Sequence, residues 1–140
     1  MLKEGMPFPA FSLLDQDGST VTLDDLKGGK TIVYFYPKDD TPGCTVEACS
    51  LNAAIPDFAG TMIYGVSPDS PASHKAFAEK FGLAFTLLAD TEHALAEACG
   101  TWNGASTARS TFLLDASGIV IHIWEKVTPA DHAKEIAAWL

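Results

Sequence analysis

Apolar and polar positions along the chain fall into short segments whose period switches between two and about three and a half. Residues 31–36, Thr-Ile-Val-Tyr-Phe-Tyr, and residues 61–66, Thr-Met-Ile-Tyr-Gly-Val, are apolar runs rich in β-branched and aromatic side chains, as in buried strands. Between them Cys44, Ala48, Leu51 and Ile55 recur at i, i+4, i+7 and i+11, the stripe of a helix that Pro56 closes. Strand, helix and strand joined by a crossover predict a parallel pair. Upstream, residues 11–14 and 20–23 read as short strands about the turn Asp15-Gln16-Asp17-Gly18, and residues 24–27 as one helical turn stopped by Gly28 and Gly29. Downstream, Ser70 as N-cap, Pro71 in the first turn, the Phe77–Phe81 pair and Gly82 delimit a second helix. Residues 86–89 form a short strand, and residues 91–99 a helix ended by Gly100. Residues 109–114 and 119–124 flank the hairpin turn Asp115-Ala116-Ser117-Gly118. A last helix begins around Thr128, Pro129 and Asp131 and runs to the C-terminus, with Ile136, Trp139 and Leu140 as core candidates.

Strand-helix-strand-helix followed by a hairpin and a final helix is the order of an α/β, thioredoxin-like fold. The 140 residues suffice for one domain, residues 1–140, and no repeat, low-complexity tract or linker divides them. A hydrophobic fraction of 47% and a charged fraction of 19% are those of a globular protein. The net charge of −9, with no basic patch, argues against nucleic acid as a partner. No segment approaches bilayer-spanning length and the first residues hold no apolar signal stretch, so no membrane partner and a cytoplasmic location are expected. Three cysteines in such a chain suit a reducing compartment, where thiols are more often catalytic than structural. Lysine and arginine together number nine, and Arg109 is the only arginine. A solitary Arg suggests a task for a planar, permanently charged fork.

The chemistry concentrates after the residue 31–36 strand, where Pro37, Pro42 and Gly43 force a loop. Cys44 follows at the junction with a helix N-terminus, whose unpaired N–H groups and positive dipole end favour an anion, and the thiolate is the nucleophilic form of cysteine. Cys49 lies off the apolar stripe. Five helical steps separate it from Cys44 by roughly 8 to 9 Å between Cα atoms, beyond the reach of about 7 Å that a disulfide allows. A bond between the two therefore requires the start of the helix to unwind. The spacing is not the Cys-x-x-Cys of dithiol exchange. Cys99 pairs with Leu95 on an apolar helix side and is expected to be buried and inert. His74, His93, His122 and His132 show no ligand-like spacing, so no metal is expected. Glu47 is read as facing away from the stripe into solvent, and Thr41 as a turn or N-cap residue.

Residues 35–49, Phe-Tyr-Pro-Lys-Asp-Asp-Thr-Pro-Gly-Cys-Thr-Val-Glu-Ala-Cys, resemble the peroxidatic loop of peroxiredoxins, and more narrowly that of the Q-type subgroup, the bacterioferritin comigratory proteins. Pro37, Thr41 and Cys44 fit the pattern Pro-x-x-x-Thr-x-x-Cys, Cys49 fits the subgroup's resolving cysteine, and residues 109–112 fit its Arg-Ser-Thr-Phe. The resemblance implies the peroxiredoxin variant of the thioredoxin-like fold, with an N-terminal β-hairpin. It also implies a thiol-dependent peroxidase acting on hydrogen peroxide and organic hydroperoxides. In that scheme Cys44 becomes a sulfenic acid and Cys49 resolves it as an intramolecular disulfide, which thioredoxin or a similar dithiol reduces. Thr41 would hold the peroxide, Arg109 would act on the thiolate, Glu47 would position Arg109, and Pro37 and Gly43 would support the loop. No organic cofactor or metal is implied.

Only six residues separate Trp102 from Arg109, where Q-type relatives usually carry a longer insertion that shapes a pocket wall and a dimer contact; a monomer is expected. The Gly-Gly-Leu-Gly and C-terminal Tyr-Phe features of easily overoxidised relatives are missing, so resistance to overoxidation is expected. Two rival functions differ in their readout. A general thiol–disulfide oxidoreductase would reduce disulfides with little peroxide turnover, and a non-enzymatic redox sensor would be oxidised stoichiometrically.

Overall fold

The expected elements occur in the expected order in a computed structural model of the chain, which describes residues 2–140. An N-terminal hairpin, β1 (Ser12–Asp15) and β2 (Thr20–Thr22), precedes β3 (Thr31–Phe35), α1 (Pro42–Ala53), β4 (Met62–Ser67), α2 (Pro71–Phe81) and β5 (Thr86–Ala89). Then come α3 (Ala94–Cys99), the hairpin β6 (Ser110–Leu114) and β7 (Val120–Trp124), and α4 (His132–Trp139). The seven strands form one sheet in the order β2-β1-β5-β4-β3-β6-β7. The crossover through α1 leaves β3 parallel to β4, and β6 returns antiparallel on the other side of β3.

β3 is buried at every position because apolar layers cover both faces of the sheet. Ile32 and Tyr34 point into one layer with Cys44, Leu51, Phe77 and Ile136; Val33 and Phe35 point into the other with Phe8, Leu95, Cys99 and Phe112. Full burial of each such side chain contributes roughly 1.5–3 kcal/mol, which pins β3 at the centre. Tyr34 lies opposite Gly65 on β4, and a Cβ there would sit 2.9 Å from the tyrosine ring, so the missing side chain makes room for it.

Several boundaries depart from the sequence pattern. α1 begins at Pro42, not Cys44, since proline needs no N–H partner in a first turn. It ends at Ala53, and Pro56 falls within a 3-10 turn, Ile55–Phe58. Arg109 precedes β6 instead of opening it. The third helix starts at Ala94, not residue 91, because His93 adopts a left-handed conformation (φ 50°). The last helix starts at His132, and Trp139, a core candidate, is 48% exposed, its ring stacked on His122. Among the described residues no helix is long and apolar enough to cross a membrane.

Candidate active site

Cys44 is the third residue of α1 and is only 1% exposed. The Thr45 N–H donates to the Thr41 carbonyl at 2.9 Å, and the two N–H groups before it, of Gly43 and Cys44, have no partner within the helix. These donors and the positive end of the helix face whatever binds beside the sulfur.

Arg109 reaches this point although 65 positions separate it from Cys44. β6 pairs with β3 so that Ser110 lies opposite Phe35, which brings residue 109 to the place where β3 gives way to the loop. One guanidinium nitrogen, Nη2, donates to Cys44 Sγ at 3.1 Å, and Nη1 donates to Glu47 Oε1 at 3.0 Å. The fork thus spans the first two turns of α1. It sets a permanently charged donor directly against the Cys44 sulfur.

Glu47 corrects the sequence reading. It is fully buried, since three helical steps from Cys44 return the chain to within about 60° of the same face. Burial pushes its carboxyl up to about 7, against the opposing pull of the Arg109 charge and hydrogen bond. Its second oxygen, Oε2, has no hydrogen-bond partner among the described residues.

Gly43 is the floor under the guanidinium: a Cβ there would stand 2.8 Å from Arg109 Nη2 and 3.8 Å from Pro129 Cγ. Thr41 occupies the N-cap position but makes no capping bond; its hydroxyl donates to the Lys38 carbonyl at 2.9 Å. The hydroxyl lone pairs stay available to accept a hydrogen bond from a bound molecule. Pro37 is half-buried, two residues past the end of β3. Cys49 is half-buried on α1 and unbonded, as are Cys44 and Cys99. Cys99 is fully buried, and burial first, then the Asp90 charge, pushes its thiol up to about 12. The structure therefore gathers Gly43, Cys44, Glu47 and Arg109 at one point, with Thr41 at its edge and Cys49 apart.

The chain matches the model of the AhpC/TSA family over residues 5–123. Peroxiredoxin Bcp of Escherichia coli K12 is 41% identical over 149 aligned residues, covering 99% of this chain and 96% of that protein. The alignment is longer than the chain, so the relative carries residues that this chain lacks. Peroxiredoxin Bcp of Bacillus subtilis 168 is 45% identical over 141 residues, covering 94% and 90%.

The chain belongs to the peroxiredoxins, in the Bcp or Q-type subgroup. A solved structure of the Xanthomonas campestris bacterioferritin comigratory protein, determined in connection with its alkyl peroxide reduction activity, superposes with a TM-score of 0.86 at 40% identity. It covers 92% of this chain and 88% of that one. This peroxiredoxin is a thiol-dependent peroxidase on a thioredoxin-like fold.

Sequence reasoning missed a second polar group beside the loop. Asp39, Asp69 and His74 bring ligand-type atoms within 4.8 Å of one another, so His74 does converge with acidic partners in space, contrary to the reading of scattered histidines. Hydrogen bonds among the three account for their approach: His74 Nδ1 to Asp39 Oδ2 at 2.7 Å and Asp39 N–H to Asp69 Oδ2 at 2.8 Å. The only signal in the sequence was an aspartate inside the reactive loop.

Proposed function

We propose that Cys44 is the peroxidatic nucleophile and Cys49 the resolving cysteine of a peroxidase that a dithiol protein of the thioredoxin type recycles. The observation that carries this reading is the 3.1 Å contact from Arg109 Nη2 to Cys44 Sγ at the start of α1. The Cys44 thiolate attacks the terminal oxygen of a hydroperoxide. An S–O bond forms, the O–O bond breaks, and the leaving oxygen takes a proton to become water or an alcohol. Arg109 and the Gly43 and Cys44 N–H groups oppose the charge that moves from sulfur to oxygen, and Thr41 accepts the peroxide O–H and aligns it. Glu47 fixes the guanidinium, and Pro37 and Gly43 keep the loop open for it. The start of α1 then unwinds. Cys49 attacks the sulfenic sulfur, an S–S bond replaces the S–O bond, and the hydroxyl leaves as water. Organic hydroperoxides are substrates alongside hydrogen peroxide. The short 103–108 segment closes on itself through Asn103 and Ser106, which supports a monomer. Recycling by a dithiol suits a reducing compartment, and the cytoplasm is the location we propose.

The test is peroxide consumption by the reduced protein with a thioredoxin system as electron source, repeated with Cys44→Ser and Cys49→Ser. Turnover should vanish without Cys44 and stop after about one equivalent without Cys49. Slow consumption that does not depend on Cys44 would overturn the assignment and favour a sensor.

A further inference from the structure

The loop between β3 and α1 is held at one residue far more firmly than elsewhere. The Asp39 carboxylate, 7% exposed, accepts three hydrogen bonds: from Tyr36 Oη at 2.6 Å, Ser73 Oγ at 2.8 Å and His74 Nδ1 at 2.7 Å. His74 is fully buried and its Nε2 donates to the Leu88 carbonyl on β5 at 2.9 Å. The buried imidazole thus bridges the Asp39 carboxylate and the β5 backbone through its two ring nitrogens. Burial by itself would raise the Asp39 carboxyl, but the His74 hydrogen bond and charge, with Tyr36 and Ser73, outweigh it and hold it below the ordinary range. The Asp39 N–H is tied as well, to Asp69 Oδ2, which also accepts from Ser67 Oγ.

The partners named here sit just after β3, at the end of β4 and in the turn that follows it, on α2 or on β5, and none is on α1. The next residue, Asp40, has φ 56°, left-handed for a residue with a side chain and so a strained link. Beyond it lies the segment that must unwind before Cys49 can reach Cys44. A fixed knot, a strained joint and an unwinding helix in series form a hinge with a defined stop.

We propose that Asp39 and His74 are positioning residues that clamp the loop to α2. Unwinding of α1 then begins beyond Asp40 and stays C-terminal to it. This rests on Cys49 being the resolving cysteine. The clamp gives the helix a fixed point from which to refold after each cycle, returning Cys44 to Arg109. Without it the opening spreads upstream into residues 36–40, and the fraction of molecules competent to react with peroxide falls.

Hydrogen exchange read by mass spectrometry, on reduced and peroxide-oxidised protein, tests this. In the wild type, oxidation should accelerate exchange across residues 42–53 and leave residues 36–40 as protected as before. NMR should show the His74 Nδ1 proton still hydrogen-bonded in both redox forms. His74→Gln keeps a donor for the Leu88 carbonyl and loses the one on Asp39. It should speed exchange of residues 36–40 on the order of 10- to 100-fold, the equilibrium factor of one charged hydrogen bond. Ser73→Ala, a milder loss at the same carboxylate, should give a smaller increase and serves if His74→Gln does not fold. Lys80→Ala, which removes the exposed pair with Asp40 and a contact over the Phe81 ring but touches none of the Asp39 hydrogen bonds, should change nothing there. Exchange that spreads through residues 36–40 in the oxidised wild type, or loop protection unchanged in both clamp variants despite a mapped Cys44–Cys49 disulfide, overturns the clamp alone. Absence of that disulfide from peptide maps overturns the resolving role of Cys49 and the clamp with it.

Discussion

Replacing Gly43 with alanine separates the chemistry of the site from the stability of the fold. Gly43 is in the first turn of α1 without a positive φ, so alanine fits its backbone, and helix propensity favours the change by at most about 1 kcal/mol. The added Cβ, however, would lie 2.8 Å from Arg109 Nη2 and 3.5 Å from its Cζ. Carbon prefers about 3.5–4.0 Å to such neighbours, so the guanidinium must retreat by roughly 0.7 to 1.2 Å. Its other end is tied to Glu47 at 3.0 Å, and Glu47 is fully buried and cannot follow. The contact given up is therefore the 3.1 Å bond to Cys44 Sγ. A hydrogen bond to a charged partner is worth about 1.5–3 kcal/mol, and each 1.36 kcal/mol on a barrier is tenfold in rate, so peroxide oxidation of Cys44 should slow by about 10- to 150-fold. Stopped-flow mixing of reduced protein with hydrogen peroxide measures the rate, and thermal melting measures stability, which should hold or rise slightly. A variant that reacts within about twofold of wild type would refute the role given to this contact. So would a slow variant whose melting temperature falls in parallel, since that would make the loss structural.

Two buried groups should tilt the pH dependence of stability in opposite directions. Burial raises Glu47 to about 7, above its ordinary 4.5, so the unfolded chain releases its proton first and stability declines as pH rises from about 4.5 to 7. Burial lowers His132 to about 4 from 6.5, so the unfolded chain takes up a proton first and stability declines as pH falls from 6.5 to 4. Urea midpoints across this range should therefore show a net rise with pH in Glu47→Gln and a net fall in His132→Gln, each change amounting to on the order of 3 kcal/mol over its window; matching slopes in both variants and wild type would contradict the assignments. Cys99, fully buried with its thiol pushed up to about 12, should resist alkylation in the native protein at pH 8 and react only on unfolding, as peptide mapping after iodoacetamide would show.

The architecture was legible because its determinants are local. Apolar runs at residues 31–36 and 61–66 and turn residues such as Asp115 to Gly118 act over a few positions, and they produced the element order that the structure shows. Element ends were less legible, because a proline at a first turn or a left-handed His93 depends on what the neighbouring chain satisfies. The loop from Pro37 to Cys49 could be read from residue types alone, since proline, glycine and a cysteine at a helix start carry their physics with them.

What only the tertiary structure decided is which distant groups meet that loop. Arg109 stood out in the sequence by its solitude, but its contact with Cys44 exists because β6 lies beside β3. Glu47 was misread because a helical stripe records apolar residues, and a carboxylate that shares the buried face for the sake of one arginine breaks that pattern. Asp39 showed only as an aspartate in the loop, and its pairing with His74 gave no sign, the two being separated by 35 positions and joined through a sheet order that places α2 over the loop. Sequence determines what each short segment can become, since propensity and burial act within it. The pairing of polar groups inside the protein is a long-range result of strand order, and it is there that the electrostatics of the site are set.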